Sequence, residues 1–313
     1  MRAALPVPVP VPVAVPPPLA VPLPVMVAAF CLIWSSAFAI SKVAMLDCPP
    51  LLLISVRCLF AGAIMLGAAT AFGAGERLAR RDLAIYAALG VANYALYLGL
   101  GYAGMRLGVS AGLSALISSA NPILTAALAA ALLAEPLSVR KIAGLLLGVL
   151  GVAVIVKSRL TGGENLLGVA LSIAALAALV GGTILFMRLP PRGSLVIGNG
   201  VQNLAGGLAL APFGLTLETI GDVVPSARLL AAFLFLALMS SIIAYLLWFH
   251  LLRVAGASTA SAYHFLMPPL GLFFGWLLLG ERTEPFDLLG VLPVALGIWL
   301  VTHATTRQSR TRP

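Results

Sequence analysis

Two titratable side chains fall deep inside apolar runs of this chain, Arg57 in "LLLISVRCLF" and His264 in "TASAYHFLMPP". A guanidinium can grip a carboxylate through a planar fork of donors. An imidazole can take up or release a proton near neutral pH. The same runs carry Trp34, Asn93, Tyr94, Tyr97, Ser118, Asn121, Tyr245, Trp248 and Tyr263. Asn93 and Tyr97 are spaced i, i+4 and Tyr245 and Trp248 i, i+3, so each pair shares a helix face. Together these groups could line an amphipathic cavity for a small solute. Each also has a simpler reading. Arg57 stands about 10 Å from the end of its run and could snorkel outward, His264 could be a neutral core histidine, and the aromatics could pack or anchor at an interface. No Ser-His-Asp set, His-Glu-x-x-His or phosphate loop occurs, which argues against hydrolytic chemistry and direct ATP drive. Cys31, Cys48 and Cys58 lack metal-ligand or Cys-x-x-Cys spacing, so no disulfide, metal or other cofactor is expected.

The elements that hold these residues are dictated by composition. The 313 residues are 61% hydrophobic and 9% charged, with mean hydropathy +1.08, which is the range of a membrane protein. The net charge of +9 comes from 19 basic residues scattered between apolar runs. That dispersal fits loop charges in a bilayer and excludes a nucleic-acid patch. Runs of about 20 apolar residues cross roughly 30 Å of hydrocarbon, and ten are present: 25–44, 50–72, 83–103, 108–133, 140–156, 166–187, 194–216, 228–252, 255–280 and 285–303. The connections are short, so no soluble domain fits between them. With the N-terminus on one side, twelve Lys and Arg fall on that side, six on the other and Arg57 inside a span; the balance makes both termini cytoplasmic. Residues 1–24 hold nine prolines and read as a disordered or polyproline-like tail. Residues 304–313 read as a basic cytoplasmic tail.

A repeat organises the spans. Residues 108–155 slide onto 254–301 without a gap, aligning Pro122 with Pro268, Glu135 with Glu281, Gly144 with Gly290 and Gly151 with Gly297. Ten of the 48 positions are identical, and the register of Pro, Glu and Gly is the stronger signal. The offset of 146 residues covers five spans, an odd number, so the halves 25–157 and 166–303 would lie upside down to one another. That construction is common among secondary transporters. Pro122 and Pro268 would interrupt spans four and nine near the middle, freeing the carbonyls of Ser118 and His264. A freed carbonyl is tolerated in a bilayer where it faces protein or a wet cavity, so the two breaks point to a midplane site between the halves and to hinge roles for both prolines. Glu135 and Glu281 end spans four and nine, either as gates or as structural carboxylates that cap loop amides or pair with Arg140, Lys141 or Arg282. Gly104, Gly108 and Gly112, and Gly144 with Gly148, make small-xxx-small steps for close helix contact.

The run "AYLLWFHLLRVAGASTASAYHFLMPPLGLFFGWLLLGERTEPFDLLGVLPVALGIWLV" resembles the second half of an EamA-like permease of the drug/metabolite transporter superfamily. The first half agrees through "IWSSAFAISK", "CPP", Arg57 and "NPILTAALAAALLAEPLS", departing at Ala134 and Pro136, where the family usually has Gly and Arg. The resemblance covers about residues 25–303. It implies an all-α integral membrane protein of ten transmembrane helices in two inverted five-helix repeats, moving small metabolites such as amino acids. The expected function is therefore secondary transport, in the export direction, of amino acids or related amphipathic compounds across the inner membrane by alternating access. The expected partners are a small-molecule substrate and the lipid bilayer, with proton coupling open through His264 and the protein a monomer or homodimer. A sugar-phosphate or nucleotide-sugar carrier is the alternative within transport, although it would need more intramembrane Lys or Arg than Arg57. A non-transporting membrane partner and a lipid-modifying enzyme are the alternatives outside it.

Overall fold

The computed structural model describes residues 21–71, 78–133, 135, 137–157, 165–280 and 292–301 other than 294 and 298. Most of the tail 1–24, Glu281 and the tail 304–313 lie outside the described residues, as does most of the loop before span ten. The described residues are almost entirely helical and contain no strand.

The helices are α1 (Leu23–Ala44), α2 (Pro50–Ala71), α3 (Arg80–Gly90), α4 (Tyr97–Arg106), α5 (Ala111–Ser119), α6 (Asn121–Leu133) and α7 (Val139–Lys157). After them come α8 (Leu166–Arg188), α9 (Leu195–Leu217), α10 (Ala227–Leu234), α11 (Tyr245–Ala255), α12 (Ala257–Ala262) and α13 (Met267–Leu279). A π-helical segment, Val91–Leu96, joins α3 to α4, and another, Phe235–Ala244, joins α10 to α11. Local chemistry sets several starts. Ser110, Asn165, Ser194 and Ser226 accept backbone N–H bonds at the N-termini of α5, α8, α9 and α10, replacing partners that the first turn lacks. Gly256, at φ 78° between α11 and α12, makes a reversal that a side chain would strain.

Among the described residues, five helices are long and apolar enough to cross a membrane: 23–44, 50–71, 80–106, 166–188 and 227–255. The pair α12–α13, bent by 41° at its break, makes a sixth if it is one span. Two causes account for three of the expected spans that are absent from this set, four, seven and nine, while span ten begins outside the described residues. Spans four and nine are each broken into shorter helices. In addition, α9 is long enough at 23 residues, but Asn199, Gln202 and Asn203 dilute its apolarity.

The breaks correct the expectation for the prolines. Pro122 and Pro268 do not interrupt continuous helices; each is the second residue of a new one, α6 and α13. The first turn has no intrahelical acceptor for its amides, so the missing N–H leaves no gap there. Nor is the His264 carbonyl freed, because it accepts the amide of Met267 in a 3-10 turn over Tyr263–Leu266.

The element bounds recur at the sequence offset. α6 and α13 both have 13 residues and are displaced by 146, as are the starts of α5 and α12 and the ends of α2 and α9. The image of the first π segment under that shift falls inside the second. The matching spans also touch: α2 packs along α9, and the two broken spans pack crosswise, α5 against α13 and α6 against α12. Gly144 and Gly297 meet where α7 approaches residues 295–297, since a Cβ on Gly144 would stand 2.7 Å from the Gly297 carbonyl oxygen. That contact matches the close approach expected of Gly144.

Polar contacts tie the loops into two sets. Asp47 is bound by Ser226 and Arg228, and Glu218 accepts the amides of Leu51 and Leu52. Separately, Asp82 accepts the Arg192 amide, Arg253 donates to the Pro191 carbonyl, and Glu135 accepts from Ser258.

Candidate functional site

Side chains from both halves converge on a buried centre. Trp34 on α1 lies 5.0 Å from Tyr245, 6.2 Å from Trp248 and 6.2 Å from Tyr97, measured between ring centroids. His264 stands edge-on to three rings: Trp248 at 4.8 Å, Phe30 at 5.6 Å and Trp34 at 5.6 Å. It has no accessible surface. Neither imidazole nitrogen makes a hydrogen bond of acceptable geometry, although the Ser261 backbone, one turn earlier, contributes to its surroundings. The Tyr97 hydroxyl interacts with the side chains of Trp34 and Ser118.

Arg57 does not snorkel. Its side chain is fully buried and donates from Nη1 to the Tyr102 hydroxyl at 3.0 Å. That hydroxyl also bonds Ser41 Oγ. A second network centres on Tyr94, whose hydroxyl donates to Asn199 Oδ1 at 2.7 Å and lies 3.1 Å from the Ser241 carbonyl. Asn203 and Asn199 donate to the same assembly. Asn93 Nδ2 reaches Gln202 Oε1 at 3.5 Å, while its carbonyl accepts from the Tyr245 hydroxyl.

Of the residues singled out in the sequence, Trp34, Tyr97, Tyr245, Trp248 and His264 form one aromatic cluster. Tyr94 is joined to it by a 4.4 Å ring contact with Tyr245. Ser118 borders it through Tyr97. Asn121 is buried at the start of α6 but bonds within its own helix, to Thr125. Tyr263 joins through its backbone, its carbonyl accepting from Cys31, and its ring makes no aromatic pair among the described residues. Glu135 lies away from this centre. It pairs with Lys141 at 3.2 Å and accepts the Ser258 hydroxyl at 2.8 Å, at the start of α12.

Tyr102, Ser41, Asn199, Gln202, Asn203 and Ser241 were not anticipated. The three amides did leave a signal: "NGVQN" at 199–203 interrupts an apolar run, and positions 199, 202 and 203 share a helix face. Glycines make room around them. A Cβ on Gly182 would stand 2.4 Å from Asn93 Oδ1, and one on Gly206 would stand 2.5 Å from the Tyr94 Cβ.

A void of about 30 Å³ lies beside this centre, lined by Tyr97, Tyr102, Ser114, Ser118 and Ser172 among others. It has room for roughly one or two waters. A larger hollow of about 660 Å³ between α2, the end of α9 and α10 contains none of the cluster. Its apolar lining suits contact with lipid.

The family model described as the EamA-like transporter family matches residues 23–157 and 166–303. The chain is similar to the transporter YvbV of Bacillus subtilis, 26% identical over 283 residues, covering 90% of this chain and 92% of the relative. It is similar to an S-adenosylmethionine/S-adenosylhomocysteine transporter of Chlamydia trachomatis, 31% identical over 291 residues, covering 88% of each. A probable amino-acid metabolite efflux pump of Salmonella typhimurium is 27% identical over 288 residues, covering 86% of this chain and 90% of the relative. A crystal structure of an 18%-identical chain has the same fold, with TM-score 0.74 over 91% of this chain and 97% of that one.

Proposed function

The chain belongs to the EamA-like transporter family, a family of multi-pass membrane transporters rather than enzymes, and from that premise we propose that it moves a small metabolite by alternating access. The carrying observation is the buried centre itself, where polar and aromatic groups of both halves meet beside paired helix breaks. Ten spans in two inverted halves, 25–157 and 166–303, are the architecture of this proposal. Element bounds that recur at 146 residues support it. So do the loop contacts. Ten alternating spans assign the loops holding Asp47, Glu218 and Arg228 to one membrane face, and those holding Asp82, Glu135, Arg192 and Ser258 to the other. Every loop contact described above joins members of one face. The balance of basic residues supports an inner-membrane protein with both termini cytoplasmic.

The transported compounds are amino acids or related amphipathic metabolites, and the direction is export. The centre's mixed polar and aromatic character supports this substrate class, and the name of the Salmonella relative supports both class and direction. A sugar-phosphate carrier is less well supported, because one guanidinium at the centre gives little for a dianion. Pro122 and Pro268, in the first turns of α6 and α13, act as hinges at which the halves rock, and His264 carries the coupling proton. Glu135 holds α12 in place as a structural carboxylate. The working unit is a monomer or homodimer.

The test is counterflow into liposomes that contain the purified protein, with a panel of labelled amino acids and amines, with and without a proton gradient. Accumulation above empty liposomes is expected, and acceleration by the gradient should be lost in His264→Ala. No flux from folded, inserted protein across the panel rejects amino acids as substrates.

A further inference from the structure

Arg57 is a cation with no anionic partner among the described residues. Its side chain has no accessible surface. Among the described residues the ion pairs are Arg81–Asp82, Lys141–Glu135 and Arg228–Asp47, and none involves Arg57. Of the described carboxylates, Asp47, Asp82, Glu135 and Glu218 are bound at helix ends, and Asp222 is exposed in the loop before α10. A buried charge left unpaired is strongly unfavourable, and in a membrane span it marks function by default.

The way the guanidinium is held identifies what completes it. Nη1 is taken by Tyr102, which Ser41 fixes in turn. Nε and Nη2 make no hydrogen bond among the described residues, and the thiol of the adjacent Cys58, a weak acceptor, also acts on the guanidinium. Those two nitrogens form one edge of the guanidinium, and their parallel N–H bonds fit the two oxygens of a carboxylate. Thus the protein occupies one corner of the fork and leaves a complete bidentate edge free.

The surroundings identify the rest of the ligand. Tyr102 lies beside Arg57, its ring centroid 5.8 Å from the guanidinium carbon. The void next to Tyr102 is also lined by Tyr97, which leads to Trp34 and Tyr245. None of these groups is an acid, so an ammonium group would have no ionic partner there. One guanidinium matches one negative charge.

We infer that the free Nε–Nη2 edge of Arg57 is the anion subsite of the translocated solute, and that the solute is a monocarboxylate with an aromatic or apolar body. The inference rests on the transporter reading, because it assigns the site at which that reading locates the substrate. An amino group on the solute is tolerated but is not what the site selects.

Three solutes with a common phenyl ring and two-carbon chain separate the possibilities: 3-phenylpropionate, phenylalanine and 2-phenylethylamine. Each is titrated into the full-length protein in detergent, reading tryptophan fluorescence and thermal midpoint, with sodium chloride and phosphate as anion controls. Both carboxylates are expected to bind and the amine not. Arg57→Gln should weaken carboxylate binding roughly ten- to a hundredfold, the range for hydrogen bonds to a charged group. Arg57→Lys, which keeps the charge but loses the fork, should fall between. Equal binding of the amine, unchanged affinity in Arg57→Gln, a response to chloride or phosphate that carboxylates do not exceed, or no response to any solute would each overturn the assignment. If Arg57→Gln does not yield monodisperse protein, the three solutes on the wild type decide. The transporter reading stands or falls separately, on counterflow with the wider panel.

Discussion

The Tyr245 hydroxyl donates to the backbone carbonyl of Asn93 at 2.9 Å, linking a residue of the second half to the first π segment. The relationship is returned: the hydroxyl of Tyr94, in that π segment, lies 3.1 Å from the carbonyl of Ser241 in the other. A π segment shifts the backbone register and leaves carbonyls without their usual partner, and inside a bilayer such groups need one. Each half therefore supplies a tyrosine that satisfies the other's irregular backbone. Tyr245→Phe keeps the ring but leaves the Asn93 carbonyl short of a donor. A loss of about 1–3 kcal/mol of stability is expected, read as a lowered thermal midpoint in detergent. Tyr94→Phe should lose at least as much, because its hydroxyl also serves Asn199 and Asn203. With the two rings 4.4 Å apart, the double variant should depart from additivity.

The sequence made part of this arrangement readable and hid the rest for definable reasons. Arg57 and His264 stood out because a titratable group in an apolar run has few explanations. The 146-residue offset was visible in Pro122, Pro268 and Glu135, and the helix bounds repeat it. Where the prolines sit in their helices was misjudged, because a proline reads alike whether it interrupts a helix or begins one; that choice depends on whether the preceding turn is helical. Tyr102 sits at the end of its run, so its link to Arg57, 45 positions away, is set by tertiary packing alone. The same holds for Glu218, which binds the first turn of α2 from 167 residues away.

Close helix contact gives a second prediction. A Cβ on Gly90 would stand 2.2 Å from the Gln202 carbonyl oxygen, whereas one on Gly67 would meet nothing within 4 Å. Gly90→Ala must therefore push α3 away from α9, and overpacking of this kind typically costs about 1–3 kcal/mol. Gly67→Ala should be neutral or slightly stabilising, as alanine is the better helix former. Matched thermal midpoints for the two variants and wild type check this, and equal loss in both would refute it.

Glu135 and Lys141 form a pair whose members are unequally exposed, the lysine side chain at 3% and the glutamate at 20%. Removing the carboxylate leaves an ammonium buried without a counter-charge, which is strongly unfavourable, on the order of 3 kcal/mol. It also removes the acceptor for the Ser258 hydroxyl. Glu135→Ala should destabilise the protein more than Glu135→Ala with Lys141→Met, since the second change removes the stranded charge. Thermal unfolding of the single and double variants gives the comparison; no recovery in the double variant would show that the Ser258 contact dominates.

Asp47 provides a pH dependence with a definite sign. It lies between α1 and α2, outside the spans, where hydrogen bonds from Arg228 and Ser226 hold its carboxyl down from 3.8 to about 2. The Arg228 contacts are 2.8 Å from Nε and 2.5 Å from Nη2. A carboxylate whose value is lower in the folded state stabilises that state above its unfolded value, and the stabilisation disappears as pH falls through the folded one. The contribution of Asp47 is therefore complete at neutral pH and lost between about pH 4 and about pH 2. Asp47→Asn should melt below wild type at pH 7, and the difference should shrink across that acidic window. Because the Arg228 side chain is 52% exposed, salt should also narrow the difference at pH 7. A gap between the variants that stays constant from pH 7 to pH 2 would mean that Asp47 acts through packing rather than charge.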